Sequence, residues 1–187
     1  MRQKNNSGFT LPELMITVGI VAIIMSTAVP ALNSSLKNSR LASHLNSVVA
    51  DLHFARSEAV KRDVRVILCR SSNPNATNPT CSGSDQIWTS GYIIFADSGN
   101  YANNWYDAGT DILLRRGQRA GSGVTLRTNT TWNHYLEFNP DGTLNESGTA
   151  LMSICDDRGK DLGKQIAVAL NGLPKMYSSD IESCTPS

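Results

Sequence analysis

From Leu14 to Leu36 the chain carries no charged residue, and the stretch Leu14–Val29 is almost wholly apolar. At about 1.5 Å per helical residue that stretch covers roughly 24 Å, and its uncharged flanks extend it to the roughly 30 Å of a bilayer's hydrocarbon core. A single membrane span is predicted. Beyond it, Leu41, Leu45, Val48, Val49, Leu52, Ala55 and Ala59 recur at three- and four-residue steps, with Arg40, Asp51, Arg56, Glu58 and Lys61 between them. That spacing predicts an amphipathic helix with one face for a core. One long helix therefore has an apolar first half and a two-faced second half, and Pro30 is expected to bend it or loosen its backbone.

From Arg65 the period changes. Short runs at Arg65–Cys69, Tyr92–Ala96, Ile112–Arg116, Val124–Arg127, Tyr135–Phe138, Leu151–Cys155 and Gln165–Leu170 lie between clusters of Gly, Asn, Asp, Pro and Ser. They predict antiparallel strands. Asn139-Pro140-Asp141-Gly142, between Phe138 and Leu144, is the strongest turn signal and predicts a hairpin. Ser71–Asp85 is a polar loop. The fold class expected is α+β, a long N-terminal helix packed on antiparallel β-sheets.

The length of 187 residues leaves room for one globular domain after the apolar helix. Four cysteines, Cys69, Cys81, Cys155 and Cys184, lack any CxxC pair and so do not suggest zinc. Three pairings can be drawn, and joining neighbours, Cys69–Cys81 and Cys155–Cys184, is the simplest. A chain-entropy treatment assigns each such loop roughly 3 kcal/mol.

An ordinary secretory signal has small residues after its apolar run, whereas here Gly8 precedes the run and Glu13 sits at its edge. A plain uncleaved anchor would leave Glu13 as a carboxylate without a task, which is costly at a membrane edge. The segment Gly8-Phe9-Thr10-Leu11-Pro12-Glu13-Leu14 resembles the class III signal of type IV pilins and type II secretion pseudopilins. The resemblance implies cleavage after Gly8 by a prepilin peptidase, methylation of the new N-terminal Phe9, and a role for Glu13 in subunit assembly. Pro12 departs from the apolar residue most relatives carry, at a first-turn position where proline is tolerated.

Later segments are similar to the pseudopilin H and FimT/FimU branch of that family. They are Leu52-His53-Phe54-Ala55-Arg56-Ser57-Glu58-Ala59-Val60-Lys61-Arg62, Trp88, Gly91–Phe95 with Asp97, Leu113-Leu114-Arg115 and Phe138–Gly142. The resemblance implies a pilin-like fold with a leader at residues 1–8, a transmembrane and assembly helix at 9–36 and a periplasmic domain at 37–187. It implies a minor pilin rather than a bulk one, placed first in the inner membrane with a periplasmic C-terminal domain and then in the pilus, where it helps start assembly at or near the tip. Its partners would be other minor pilins and the major pilin, through the N-terminal helix. Alternatives are a type II secretion minor pseudopilin H and a DNA-binding pilin for natural transformation.

The formal charge is +1, and loss of Arg2 and Lys4 with the leader would make it −1. That balance gives no overall pull towards nucleic acid or anionic lipid. Arg115, Arg116, Arg119 and Arg127 form the one local group that could meet phosphate, although strand alternation separates Arg115 from Arg116. DNA-binding relatives of the FimT type carry a Gly-Arg-x-Arg element. Its nearest counterpart, Gly172-Leu173-Pro174-Lys175, lacks both arginines and leaves Lys175 alone. DNA is therefore not the favoured partner.

No enzyme is expected: His44, His53 and His134 stand in no catalytic motif, and the glycines of Arg116–Gly123 match no nucleotide fingerprint. No cofactor is called for. Asp97, Asp107 and Asp111, with Asn100, Asn103 and Asn104, offer oxygens suited to calcium, but without the spacing of an EF-hand. Turn formation accounts for them more simply, and no metal is expected.

Overall fold

The computed structural model describes residues 10–83, 86–99, 103–117, 119–121, 123–129, 132, 134–177, 181 and 184. A long helix, α1, runs Leu11–Arg62. Its assignment is continuous through Pro30. The chain divides into two compact units, one ending at Ser39 and the other beginning at Arg40.

In the first unit every side chain from Leu11 to Leu36 is exposed, large apolar ones included. In the second unit α1 buries Leu41, Leu45, Val48, Leu52, Ala55 and Ala59, a row at alternating four- and three-residue steps. The row is narrow and ends in alanines. Small side chains there let the helix lie close to the sheets.

Among the described residues eight strands follow: β1 Val66–Arg70, β2 Tyr92–Ala96, β3 Ile112–Gly117, β4 Thr125–Thr128, β5 Tyr135–Phe138, β6 Ala150–Cys155, β7 Lys164–Val168 and β8 Pro174–Tyr177. They make two antiparallel four-stranded sheets, ordered β3-β2-β1-β5 and β4-β6-β7-β8. One core joins the helix row to inward residues of both sheets, among them Leu68, Ile94, Phe138, Leu126, Ile154 and Ile166. At its centre Trp88 and Trp132 meet edge to face at 5.6 Å. The first sheet also buries its outer face, under Ile67, Cys69, Cys81, Ile93 and Phe95. Burial on both faces explains why β1 and β2 read as unbroken apolar runs rather than as alternating ones.

Seven strands lie where the sequence predicts them, within one or two residues at each end. Arg65 stays outside β1, and β7 stops at Val168 because the chain turns at Ala169–Gly172, where Gly172 N–H donates to the Ala169 carbonyl. The eighth, β8, is unexpected. It begins with proline and holds no β-branched residue, so its own preference is weak, and a sheet edge is where such a strand is tolerated. The turn at Asn139–Gly142 forms as expected, but its return arm is a single bridge, Phe138 to Leu144. Leu144 N–H then donates to the Leu170 carbonyl, which ties this turn to the second sheet.

Candidate functional site

The first unit presents an apolar rod that begins with a charge. Glu13 N–H and Leu14 N–H both donate to the Thr10 carbonyl, which starts the helix. Pro12 falls in the first turn, where a missing N–H costs nothing. Glu13 is the only acidic residue between Thr10 and Asp51, and a helix N-terminus is the end that favours a carboxylate. Thr17, Ser26 and Thr27 turn their hydroxyls back onto the carbonyls of Leu14, Ile23 and Ile24, so these polar groups bring no unmet hydrogen bond into an apolar medium. Gly8 and Phe9 lie outside the described residues.

The second unit is fastened to its helix by buried charge. Arg115 on β3 donates to Asp51 Oδ1 at 2.7 Å, and Tyr92 on β2 donates to Asp51 Oδ2 at 2.6 Å. The Arg115 guanidinium also lies 4.0 Å from the centre of the Phe54 ring. Burial, reinforced by the Asp51 charge, pushes the Tyr92 hydroxyl well above its ordinary pKa and keeps it a donor. A second knot joins the starts and ends of strands: Arg65 donates to Glu137 at 3.0 Å and also to Asp97. Burial opposes the charge on Arg65, but the two carboxylates outweigh it and raise its pKa.

Arg56 completes the helix–sheet attachment. Its Nε donates to the Gly142 carbonyl at 3.0 Å, and a Cβ at Gly172 would fall 2.1 Å from that same oxygen. The helix residue, the Asn139–Gly142 turn and the Ala169–Gly172 turn therefore pack on one another. Glu58, also buried, pairs with Lys61 and Arg62. The segment from Ala55 to Ala59 thus combines close-packing alanines with two polar side chains that serve structure. Sequence reasoning singled it out as a resemblance without finding these roles.

The arginines proposed for phosphate are dispersed in their duties. Arg115 is held by Asp51, and Arg116 Nη1 donates to the carbonyls of Pro74 and Ala76 at 2.5 and 2.6 Å. Arg119 lines an open groove beside Asp156 and Asp157. Arg127 is half-buried on β4, and Lys175 is exposed on β8. The loop that receives Arg116 is closed by a Cys69–Cys81 disulfide, and a second disulfide joins Cys155 to Cys184.

Of the calcium candidates, Asp97 serves Arg65. Asp111 accepts from the Ser98 and Asp107 backbones, and Asp107 accepts from Asn103. Asn100 lies outside the described residues. Among the described residues no group of three His, Cys, Asp or Glu side chains could hold a metal ion. His44 Nε2 accepts from Gly121 N–H, His53 is exposed, and His134 lies between two aromatic rings, where burial lowers its pKa.

This arrangement, an exposed apolar helix half and a two-sheet head fastened to the other half, coincides with what comparison finds. Residues 44–172 match the family described as type II transport protein GspH. The chain belongs to the GspH family. Residues 3–29 of this GspH-family chain also match the prokaryotic N-terminal methylation motif. Two crystal structures of the type IV minor pilin FimU from Pseudomonas aeruginosa strain PAO1 share its fold. One, at 22% identity, has a TM-score of 0.60 and covers 80% of this chain and 98% of its own. The other, at 23% identity, has a TM-score of 0.57 and covers 78% and 100%. No curated protein matches the sequence significantly. The GspH match runs from the residue beside the first buried turn of α1 to Gly172, so it takes in Asp51, Arg56, Arg65, Tyr92 and Arg115 but not β8 or Cys184. The chain is thus a GspH-family protein with a pilin-like fold, and its apolar helix and methylation motif fit membrane anchoring.

Proposed function

We propose that this protein is a minor type IV pilin that helps start pilus assembly at or near the tip. The observation that carries the reading is the exposed apolar helix from Leu11 to Leu36 with the lone carboxylate Glu13 in its first turn. Residues 1–8 act as a leader cut after Gly8 by prepilin peptidase, and Phe9 becomes the methylated N-terminus. Residues 9–36 hold the subunit in the inner membrane, with residues 37–187 in the periplasm, and later pack among the helices of other minor pilins and the major pilin. In such a bundle an unpaired carboxylate is strongly disfavoured. The amine of a neighbouring subunit's first residue supplies the counter-charge to Glu13.

A second reading has its own support, because the matching family is described by type II transport. In that case the same helix enters a short secretion pseudopilus. Deleting the gene and scoring surface pili, twitching, transformation and protein secretion separates the two. Loss of pili and twitching with secretion intact supports the pilus, and the reverse outcome assigns the chain to secretion.

A further inference from the structure

The two disulfides stand in different surroundings. Cys69 and Cys81 belong to the small core on the outer face of the first sheet, where both are buried. Cys155 ends β6 and is buried as well. A Cβ at Gly163 would lie 3.1 Å from Cys155 Sγ and 2.6 Å from Ile181 Cδ1, so the chain packs closely over that sulfur. Its partner Cys184 is half-buried and forms part of the wall of an open groove of about 750 Å³. Arg119, Asp156 and Asp157 line the same groove.

Thiol–disulfide exchange begins when a thiolate attacks one sulfur in line with the S–S bond and the other sulfur leaves. Access is therefore needed at one sulfur alone. The groove supplies it at Cys184, while burial denies it at Cys155, Cys69 and Cys81. An approaching thiolate is negative, so the exposed Arg119 attracts it and the exposed Asp157 opposes it. Asp156 is engaged by Arg158 at 2.7 Å. The bond joins residues 29 apart in sequence and encloses β7 and β8 in one loop. β8 forms the edge of its sheet, and its residues Lys175, Met176 and Tyr177 are exposed. The Ala169–Gly172 turn holds the start of β8, and the disulfide tethers the chain beyond its end.

We propose that Cys155–Cys184 is a redox-operated clip on β8, opened by the dithiol of a thioredoxin-type protein that docks at the groove. The partner's thiolate forms a mixed disulfide with Cys184 Sγ and expels the Cys155 thiolate, which takes up a proton. The partner's second thiolate then attacks its own sulfur in that mixed disulfide and releases Cys184 as a thiolate. Two electrons pass to the clip, and the partner leaves as a disulfide. Cys69–Cys81 stays closed throughout, so the loop that receives Arg116 keeps its shape while β8 loosens. Such a clip would serve a pilus subunit and a secretion subunit alike.

The test uses the oxidised full chain in detergent. A thioredoxin whose second active-site cysteine is changed to serine serves as a trap, and the mixed disulfide is mapped by mass spectrometry after acid quench. Capture should occur at Cys184 with Cys69–Cys81 intact. With dithiothreitol as reductant, Cys155–Cys184 should open at least about tenfold faster than Cys69–Cys81. Arg119→Ala should slow that opening and Asp157→Asn should speed it, both effects fading at high salt. Hydrogen exchange should rise at the β8 amides on opening and stay unchanged in β1 and β2. Failure of the trap to capture the chain, capture at Cys155, or opening of both bonds at one rate overturns the proposal. So do rates unmoved by both charge changes, or unaltered exchange at β8 in the opened protein.

Discussion

Asp51 on α1 and Arg115 on β3 are 64 residues apart in sequence and meet at 2.7 Å. A bulge brings this about. Ile93 pairs with Arg116 and Ile94 with Arg115, but Phe95 pairs with Leu113, so Leu114 is the extra residue. The inserted residue shifts the alternation and leaves Arg115 on the helix side, opposite Ile94 of the main core.

Truncating Asp51 leaves two donors, the Tyr92 hydroxyl and the Arg115 guanidinium, without their acceptor. Asp51→Ala should therefore lower stability by about 2–4 kcal/mol, and Tyr92→Phe, which removes donor and demand together, by about 1 kcal/mol. Urea unfolding of the full chain in detergent measures both. Equal losses in the two variants would contradict the assignment.

Gly172 has φ of 72°, and a Cβ there would meet the Gly142 carbonyl at 2.1 Å and Arg56 at 3.1 Å. Gly172→Ala should cost at least about 2 kcal/mol, from left-handed backbone and a backbone clash together. A melting temperature within a degree of the native value would show that the two turns do not pack as described.

Burial, with the nearby charge of Glu137, raises the Glu146 carboxyl from 4.5 to about 7. The folded form then holds a proton that the unfolded chain has released. Stability from this group is full below pH 4.5 and is lost as pH rises to about 7. Glu146→Gln should remove that loss, so the variant gains on the native protein between those limits. With allowance for solvent screening the gain is about 1–2 kcal/mol at pH 8. Unfolding at pH 4.5 and pH 8 checks it, and a gain that is the same at both would rule it out.

Processing should give a mature chain that begins with methylated Phe9. Glu13→Ala should leave cleavage largely intact and reduce incorporation, because the neighbouring amine loses its counter-charge. Mass spectrometry of the N-terminal peptide and the level of variant in sheared pili are the measurements. An intact Met1 in cells with active prepilin peptidase, or native levels of the variant in pili, would contradict this account.

Duplex DNA should bind weakly or not at all at about 0.15 M salt. Non-specific affinity is built from phosphate contacts, and Arg115 and Arg116 are already engaged within the domain. Lys175 offers a point charge rather than a guanidinium fork. A mobility-shift titration over salt decides it, and low-micromolar, salt-sensitive binding lost in Arg119→Ala or Lys175→Ala would make DNA a leading partner.

The sequence by itself determined the helix, its division of labour and most of the strands. Those features follow from local periodicity: an uncharged run cannot hide in a small domain, and Leu41 to Ala59 can bury only one side. The motif around Gly8 and Glu13 was legible for the same reason, since its residues are adjacent in the chain. Tertiary structure decided what depends on distant partners. The edge strand β8 exists because β7 offers it a ladder, against the preference of Pro174 and Lys175. The arginine group looked like one patch in sequence, but the bulge at Leu114 and the loop at Pro74–Ala76 gave Arg115 and Arg116 separate internal partners. Trp105 and His134 lie far apart in the chain and meet only because β5 takes the edge position beside β1. Strand order and register are set by packing across the whole domain, and a periodic pattern of single residues does not encode them.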